Sequence, residues 1–374
     1  MVGPWSLARL VAEVFVLLAT TPTLLRVFRS IRPRARLSPI DIPSKQFPHI
    51  SVVIPARNEA ARIRPLLESL RNAHGILEVI VVDDESTDET SRIAASYGAK
   101  VLISTARPVQ WVGKTWALHQ GIAAARGEWI VTLDADTQVE PSLLEALVTW
   151  AEDQRAVLTT VAGTFDCPTI GAQLVHPALL TTLIYRYGRP GSRSSGPVIA
   201  NGQCMAFRRA DAVSLQLMER VRGELIEDVA LARALDAEGR IVSMVDGNGL
   251  LRVRMFEDFM STVRGWGRSI SMAGIEKPAQ LLIQVIELAC AQVLPIVLVV
   301  TGVAPVMGVG LLAIRIGTLF GTAAAYPQRK WSFWLSPAVD LLAWLIIVTG
   351  VVRNLLHLPV MWSGRSYGVR QQGL

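Results

Sequence analysis

Apolar and polar positions divide this chain into three stretches of different rhythm. Residues 5–25 are apolar apart from interruptions such as Arg9 and Glu13, a run long enough to cross a bilayer as a helix. From His49 the rhythm changes to short apolar runs alternating with helical spacing. His49–Ile54, Leu77–Val82, Lys100–Ser104 and Ile130–Leu133 read as strands, the last with the continuous apolar character of a strand buried on both faces. Between them, Ile63, Leu66, Leu67 and Leu70 share one helix face. A second helix runs toward Tyr97 and stops at Gly98, with Ser86 or Thr87 as its expected cap. A third follows Gly113-Lys114 through Ala125. The order β-α-β-α-β-α-β predicts an α/β fold, a parallel sheet with helices on both faces.

The second half is less regular. Ala156–Ala162, Pro197–Phe207 and Ile241–Asp246 read as strands. Ala172–Tyr187, broken by His176-Pro177, reads as an interfacial or core helix. Glu224-Leu225-Ile226-Glu227-Asp228 opens a helix through Leu235, and acids at a helix start complement its dipole. Asp258–Ile270 carries Arg264, Trp266 and Arg268. Gln280–Ile314 then contains no Lys or Arg and a single acid, Glu287. It is too long for one span, and Pro305 is the expected divider. Trp331–Val352, with Pro337 and Asp340, is a third apolar run. The expected domains are an anchor and linker over 1–46, a catalytic domain over 47–275 and a membrane region over 276–374. Three full spans would place the tail outside, whereas Arg353, Arg365 and Arg370 favour the cytoplasm. One C-terminal segment is therefore expected to lie in the membrane plane or to be re-entrant.

Composition sharpens this picture. Of the 374 residues, 51% are hydrophobic, more than a wholly soluble enzyme carries unless the excess is concentrated, as here, at the two ends. Arg26, Arg29, Arg32, Arg34 and Arg36 follow the first apolar run with no acid among them. Basic residues after the run, rather than before it, argue against a secretory leader. They put the N-terminus outside and the next domain in the cytoplasm. Pro33, Pro39, Pro43 and Pro48 mark an extended linker. The net charge of +6 sits beside apolar segments, which favours an anionic membrane surface over nucleic acid. Cys167, Cys204 and Cys290 offer neither a disulfide framework nor ligand spacing.

The candidate chemistry lies at strand ends, where open α/β sheets bind ligands. Arg57 and Glu59 follow the first strand, Asp83 and Asp84 the second, and Asp134 and Asp136 the fourth. Two carboxylates spaced i, i+2 suit Mg²⁺ or Mn²⁺ completed by water and phosphate oxygens. The turn after the first strand has no glycine, which argues against a dinucleotide-binding turn and against a P-loop. His119 and His176 lack partners at ligand spacing and read as structural.

Val53-Ile54-Pro55-Ala56-Arg57-Asn58-Glu59, Val82-Asp83-Asp84-Glu85-Ser86-Thr87-Asp88, Gly113-Lys114 and Asp134-Ala135-Asp136 together resemble a family 2 glycosyltransferase of the GT-A fold. Ile226-Glu227-Asp228 and Arg264-Gly265-Trp266 extend the likeness to about residue 270. The apolar ends and the tail Trp362-Ser363-Gly364-Arg365-Ser366-Tyr367 resemble membrane-bound transferases acting on polyisoprenoid lipids, the 4,4'-diaponeurosporenoate and hopanoid-associated enzymes above all. The resemblance implies a mixed, mostly parallel sheet with transmembrane helices at both ends. It implies that Pro55, Arg57, Glu59 and Asp84 line the nucleoside pocket, that Lys114 meets the diphosphate, and that Asp136, supported by Asp134, holds the metal. It makes Asp228 the general base, with Glu227 second, and Trp266 and Arg268 contacts for acceptor or phosphate.

The implied activity is inverting, metal-dependent transfer of one sugar, of the uridine diphosphate glucose type, to a carotenoid, hopanoid or similar lipid. It implies a multi-pass plasma-membrane protein with its catalytic domain cytoplasmic. Processive synthases carry Gln-x-x-Arg-Trp, which this chain does not reproduce around Trp266, so single transfer is expected over polymer synthesis. A silent scaffold binding lipid or a partner is the other alternative, and it has no need of Asp84, Asp136 and Asp228 together.

Overall fold

A computed structural model describes residues 4–31, 35–40, 49–189, 197–272, 274–362 and 364–368. Arg32, Pro33, Arg34, Pro43, Pro48, Ser363 and Arg370 lie outside the described residues. The chain forms two compact units. One comprises residues 34–166 and 197–254, the other 1–33, 167–196 and 255–374. This division departs from the contiguous domains expected from sequence, because the Ile170–Tyr187 helix belongs to the helical unit.

The first unit is built on a seven-stranded sheet. Its strands are β1 (Ile50–Ala56), β2 (Ile76–Asp83), β3 (Lys100–Ile103), β4 (Trp129–Leu133), β6 (Leu158–Ala162), β8 (Cys204–Arg208) and β9 (Val242–Asp246), in the order β3-β2-β1-β4-β8-β6-β9. β5 (Thr137–Val139), β7 (Thr164–Asp166) and β10 (Leu251–Arg254) form a smaller sheet. The first four strands of the large sheet are parallel, as the alternating pattern requires. β8 runs antiparallel beside β4, pairing Leu133 with Cys204. All five residues of β4 are buried. The helix Ile63–Leu70 buries Ile63, Leu66, Leu67 and Leu70, the face its spacing predicts.

The helix Gly113–Ala124 lies so close to the sheet that a Cβ on Gly121 would stand 2.4 Å from Val53 Cγ1 and 2.9 Å from Val82 Cγ2. Gly121→Ala is expected to cost about 1–3 kcal/mol by overpacking, measured as a lowered denaturation midpoint. Three local expectations need correction. Of Pro197–Phe207 only the Cys204–Arg208 end is strand, because Asn201 and Gln203 side chains bond each other and hold a turn. The helix expected from Glu224 begins at Glu227. Ser86 and Thr87 bond to Asn58, and the helix starts at Thr90.

Among the described residues of the second unit, four helices are long and apolar enough to cross a membrane: Arg9–Arg29, Pro278–Thr301, Pro305–Ala325 and Ser336–Leu355. Gly302, at φ +67°, ends the second of these ahead of Pro305. All three C-terminal helices have spanning length, so length gives no ground for setting one aside as in-plane. Exposed Leu18, Phe28, Val300 and Val306 suit a lipid surrounding. The polar interruptions are paired. Arg26 Nη1 meets Glu287 Oε2 at 2.7 Å. The buried Arg315 and Asp340 form a two-pronged ion pair at 2.7 and 2.9 Å. Removing one partner of such a pair leaves an uncompensated charge. Asp340→Ala is expected to cost about 3–5 kcal/mol, seen as loss of monodisperse protein after detergent extraction.

Candidate active site

The C-terminal edge of the parallel strands collects the polar residues. Asn58 and Glu85 adopt left-handed backbone conformations, φ 55° and 61°, in the loops after β1 and β2. Asn tolerates this region better than most residues. The Asn58 N–H donates to Ser86 Oγ (3.0 Å), and the Thr87 N–H donates to Asn58 Oδ1 (2.8 Å). The two loops are thus tied into one wall. The Asp84 N–H donates to Ala56 O (2.8 Å), and Arg57 Nη1 donates to Asp84 O (3.0 Å). The guanidinium also lies 3.8 Å from the buried Asp84 carboxylate. Pro55 stands in β1, level with Val82.

Beside this wall, Lys114 Nζ bridges two carboxylates. It sits 2.8 Å from Asp134 Oδ1 and 2.9 Å from Glu227 Oε1. Burial alone would lower the Lys114 ammonium, but Asp134 and then Glu227 outweigh it and hold it well above the ordinary lysine range. Asp136 has no such cation. Its Oδ1 is buried without a hydrogen-bond partner. Burial, with repulsion from Asp134 and Glu59, pushes its carboxyl up to about 7. Burial likewise raises Glu59, against the pull of Arg62. An orphaned carboxylate among acids fits a hard cation. Among the described residues no group of three or more His, Cys, Asp or Glu forms a complete metal cage. The residues present therefore suit a cation that takes most of its shell from other molecules.

Asp228 is fixed from the opposite side. The turn before β8 brings the Gly202 N–H to 2.6 Å from Asp228 Oδ2, while the Val229 N–H donates to Oδ1 at 2.8 Å. Asn201 Nδ2 donates to Val161 O and to Gln203 Oε1, both at 2.9 Å. The Gln203 carbonyl accepts from the Asp134 N–H at 3.1 Å. One turn therefore touches both acids. Burial, and then Glu227, push the Asp228 carboxyl up to about 7. Glu227 turns to Lys114 while Asp228 turns to Gly202, as adjacent helix positions diverge by about 100°.

A Cβ at Gly202 would stand 3.1 Å from Asp228 Oδ2 and 3.3 Å from its Cβ. Gly202→Ala is expected to lower turnover by about 10²-fold through misplacement, with donor KM little changed in steady-state assays. Sequence reasoning missed Gly202, Asn201 and Arg62. Glycine inside an apparent strand was the available signal for the first. Trp266 and Arg268 belong to the helical unit, where the Trp266 ring meets His176 edge-on at 4.9 Å.

A mostly parallel sheet with an antiparallel strand beside its Asp-x-Asp strand, and acids gathered on the C-terminal edge, defines the GT-A class of nucleotide-sugar transferase folds. Residues 51–214 match the family model Glycosyl transferase family 2, and the chain carries a domain of that family. It is similar to 4,4'-diaponeurosporenoate glycosyltransferase of Staphylococcus haemolyticus (strain JCSC1435), with 27% identity over 246 residues, 63% of this chain and 65% of the relative. The Staphylococcus aureus (strain USA300) protein of the same name is 28% identical over 247 residues, 61% of this chain and 63% of the relative. Both matches span just under two thirds of those relatives. A mannosyltransferase from Pyrobaculum calidifontis, solved with GDP-Man and Mn²⁺, shares the fold at TM-score 0.53 and 17% identity, over 93% of this chain and 98% of that one.

Proposed function

We propose that the protein transfers a single sugar from a nucleotide-sugar donor to a polyisoprenoid or related lipid acceptor, as a multi-pass protein of the plasma membrane with its catalytic unit cytoplasmic. The observation that carries this reading is the gathering of Asp84, Asp136 and Asp228 on one edge of one sheet, with Asp136 unpaired and Asp228 locked in place. The names of the staphylococcal relatives support an oily acceptor.

In this reading Pro55, Arg57, Glu59 and Asp84 line the nucleoside site. Lys114 meets the diphosphate by exchanging one of its present carboxylate partners. Asp136, flanked by Asp134, holds Mg²⁺ or Mn²⁺, which when bound offsets the charge growing on the departing diphosphate. Asp228 takes the acceptor proton as the acceptor oxygen bonds to the anomeric carbon. The bond from that carbon to the diphosphate oxygen breaks, and the nucleoside diphosphate leaves with the electron pair. In-line attack inverts the anomeric centre. Glu227 holds Lys114 and is not the base. Trp266 and Arg268 are acceptor or phosphate contacts.

Purified full-length protein with Mn²⁺, UDP-glucose or GDP-mannose and a carotenoid acid should yield a monoglycosylated lipid by mass spectrometry. Chelation should abolish the product and Mn²⁺ restore it. Neither donor hydrolysis nor transfer with any nucleotide sugar would leave a binding scaffold as the better reading. A ladder of products would favour a polymerase.

A further inference from the structure

The chemistry above leaves one group of the turn ahead of β8 unused, the side-chain amide of Gln203. Donor and acceptor rules fix its orientation. The Val161 carbonyl can only accept, and Asn201 Nδ2 donates to it at 2.9 Å. The Gln203 N–H can only donate, and Asn201 Oδ1 accepts from it at 3.2 Å. The Asn201 amide is therefore held one way round, and Nδ2 turns a second hydrogen toward the Gln203 side chain at 2.9 Å. Only an oxygen can accept that hydrogen, so Gln203 gives Oε1 to Asn201 and keeps Nε2 on the far side of its amide. Gln203 is partly buried, and its Nε2 has no hydrogen-bond partner among the described residues.

The position of this amide narrows what it can meet. β4 and β8 pair Leu133 with Cys204. One step further on, the Asp134 N–H donates to Gln203 O at 3.1 Å, which sets Gln203 opposite Asp134. Directly opposed residues of an antiparallel pair project to the same face, with Cβ atoms about 4.5–5.5 Å apart. There Asp134 meets Lys114, and Lys114 meets Glu227. On its other side the same turn gives the Gly202 N–H to Asp228. Gln203 thus stands between the lysine assigned to the diphosphate and the carboxylate assigned to the acceptor proton. In an in-line displacement the anomeric carbon lies between leaving group and nucleophile, so the sugar ring lies there too. Lys114 and the cation answer the charge of the diphosphate. A neutral N–H donor beside them suits a neutral oxygen, a sugar hydroxyl. Because Asn201 already holds the amide, little side-chain freedom is lost when that hydroxyl arrives.

We propose that Gln203 is a specificity-determining contact to the transferred sugar, its Nε2 donating to one of the sugar hydroxyls. This rests on the transfer reading above.

The test compares full-length wild type and Gln203→Ala on the donor wild type uses, UDP-glucose or GDP-mannose, and on each monodeoxy analogue of that donor. Wild type should disfavour one analogue by about tenfold in kcat/KM, the scale of one hydrogen bond. Gln203→Ala should accept that analogue and the parent donor equally, having lost about tenfold on the parent. Two readouts tell contact from support. The turn holds both Asp134 and Asp228, so a loosened turn would shift Mn²⁺ affinity and the pH midpoint of turnover. Both should stay at their wild-type values, as should affinity for the bare nucleoside diphosphate with Mn²⁺. Gln203→Met, similar in length and without a donor, gives the same comparison where Gln203→Ala is recovered unfolded.

Equal discrimination by wild type and variant against every analogue overturns the contact and leaves the transfer reading intact. Shifted Mn²⁺ affinity and pH midpoint make Gln203 a brace for the turn and also overturn it. A uniform loss on all donors with a raised acceptor KM assigns the amide to the acceptor instead. Wild type inert toward every nucleotide sugar overturns both.

Discussion

Asp136→Ala is expected to reduce sugar transfer by about 10³-fold or more, the scale of several kcal/mol that a Lewis-acid cation contributes to a developing charge. The physical ground is the isolation of this carboxylate. Asp134 is already neutralised by Lys114 at 2.8 Å, whereas Asp136 Oδ1 has no partner. The variant removes the free donor and keeps the paired one. Mn²⁺ titration followed by electron paramagnetic resonance checks this without an activity assay. Wild type should bind with one site, and Asp136→Ala should show none in the same range. Equal Mn²⁺ binding by both would move the cation elsewhere.

Asp228→Asn should lower turnover by about 10²–10⁴-fold, the usual worth of a positioned base, with donor KM changed little. The amide is nearly isosteric, so the Gly202 turn should survive and the folded protein should be recovered in wild-type yield. The pH profile adds a second check. A base must be deprotonated, and burial with Glu227 pushes the Asp228 carboxyl up to about 7. Activity should therefore rise with pH through that region, by roughly tenfold between about pH 6 and pH 8 for a single titration. Removing the repulsion from Glu227 by Glu227→Gln should move the midpoint down. A flat profile in wild type would take the base role away from Asp228.

Much of the sheet was legible because its signals are local. β4 declares itself by five consecutive buried residues followed by two acids, and the helix Ile63–Leu70 by spacing alone. The GT-A class and the family of residues 51–214 follow from strand-end motifs whose order the sequence preserves. What was not legible depends on partners far along the chain. β8 pairs with β4 across some 70 residues, and the turn ahead of it owes its shape to Val161 and Asp228. Read by composition, Asn201-Gly202-Gln203 merged into a strand. Lys114 was placed on a diphosphate by resemblance, and only coordinates show it spanning Asp134 and Glu227. The helix Ile170–Tyr187 looked like part of a contiguous middle domain, yet it packs with the apolar helices.

The Arg315–Asp340 pair bears on biogenesis. Each residue lies in its own bilayer-length helix, Arg315 midway along Pro305–Ala325 and Asp340 near the start of Ser336–Leu355; a lone charge at the centre of an inserting helix costs about 2.5–3.5 kcal/mol. In a bilayer the pairing of the two residues would offset that cost, and the two helices would be expected to insert together as a neutralised hairpin.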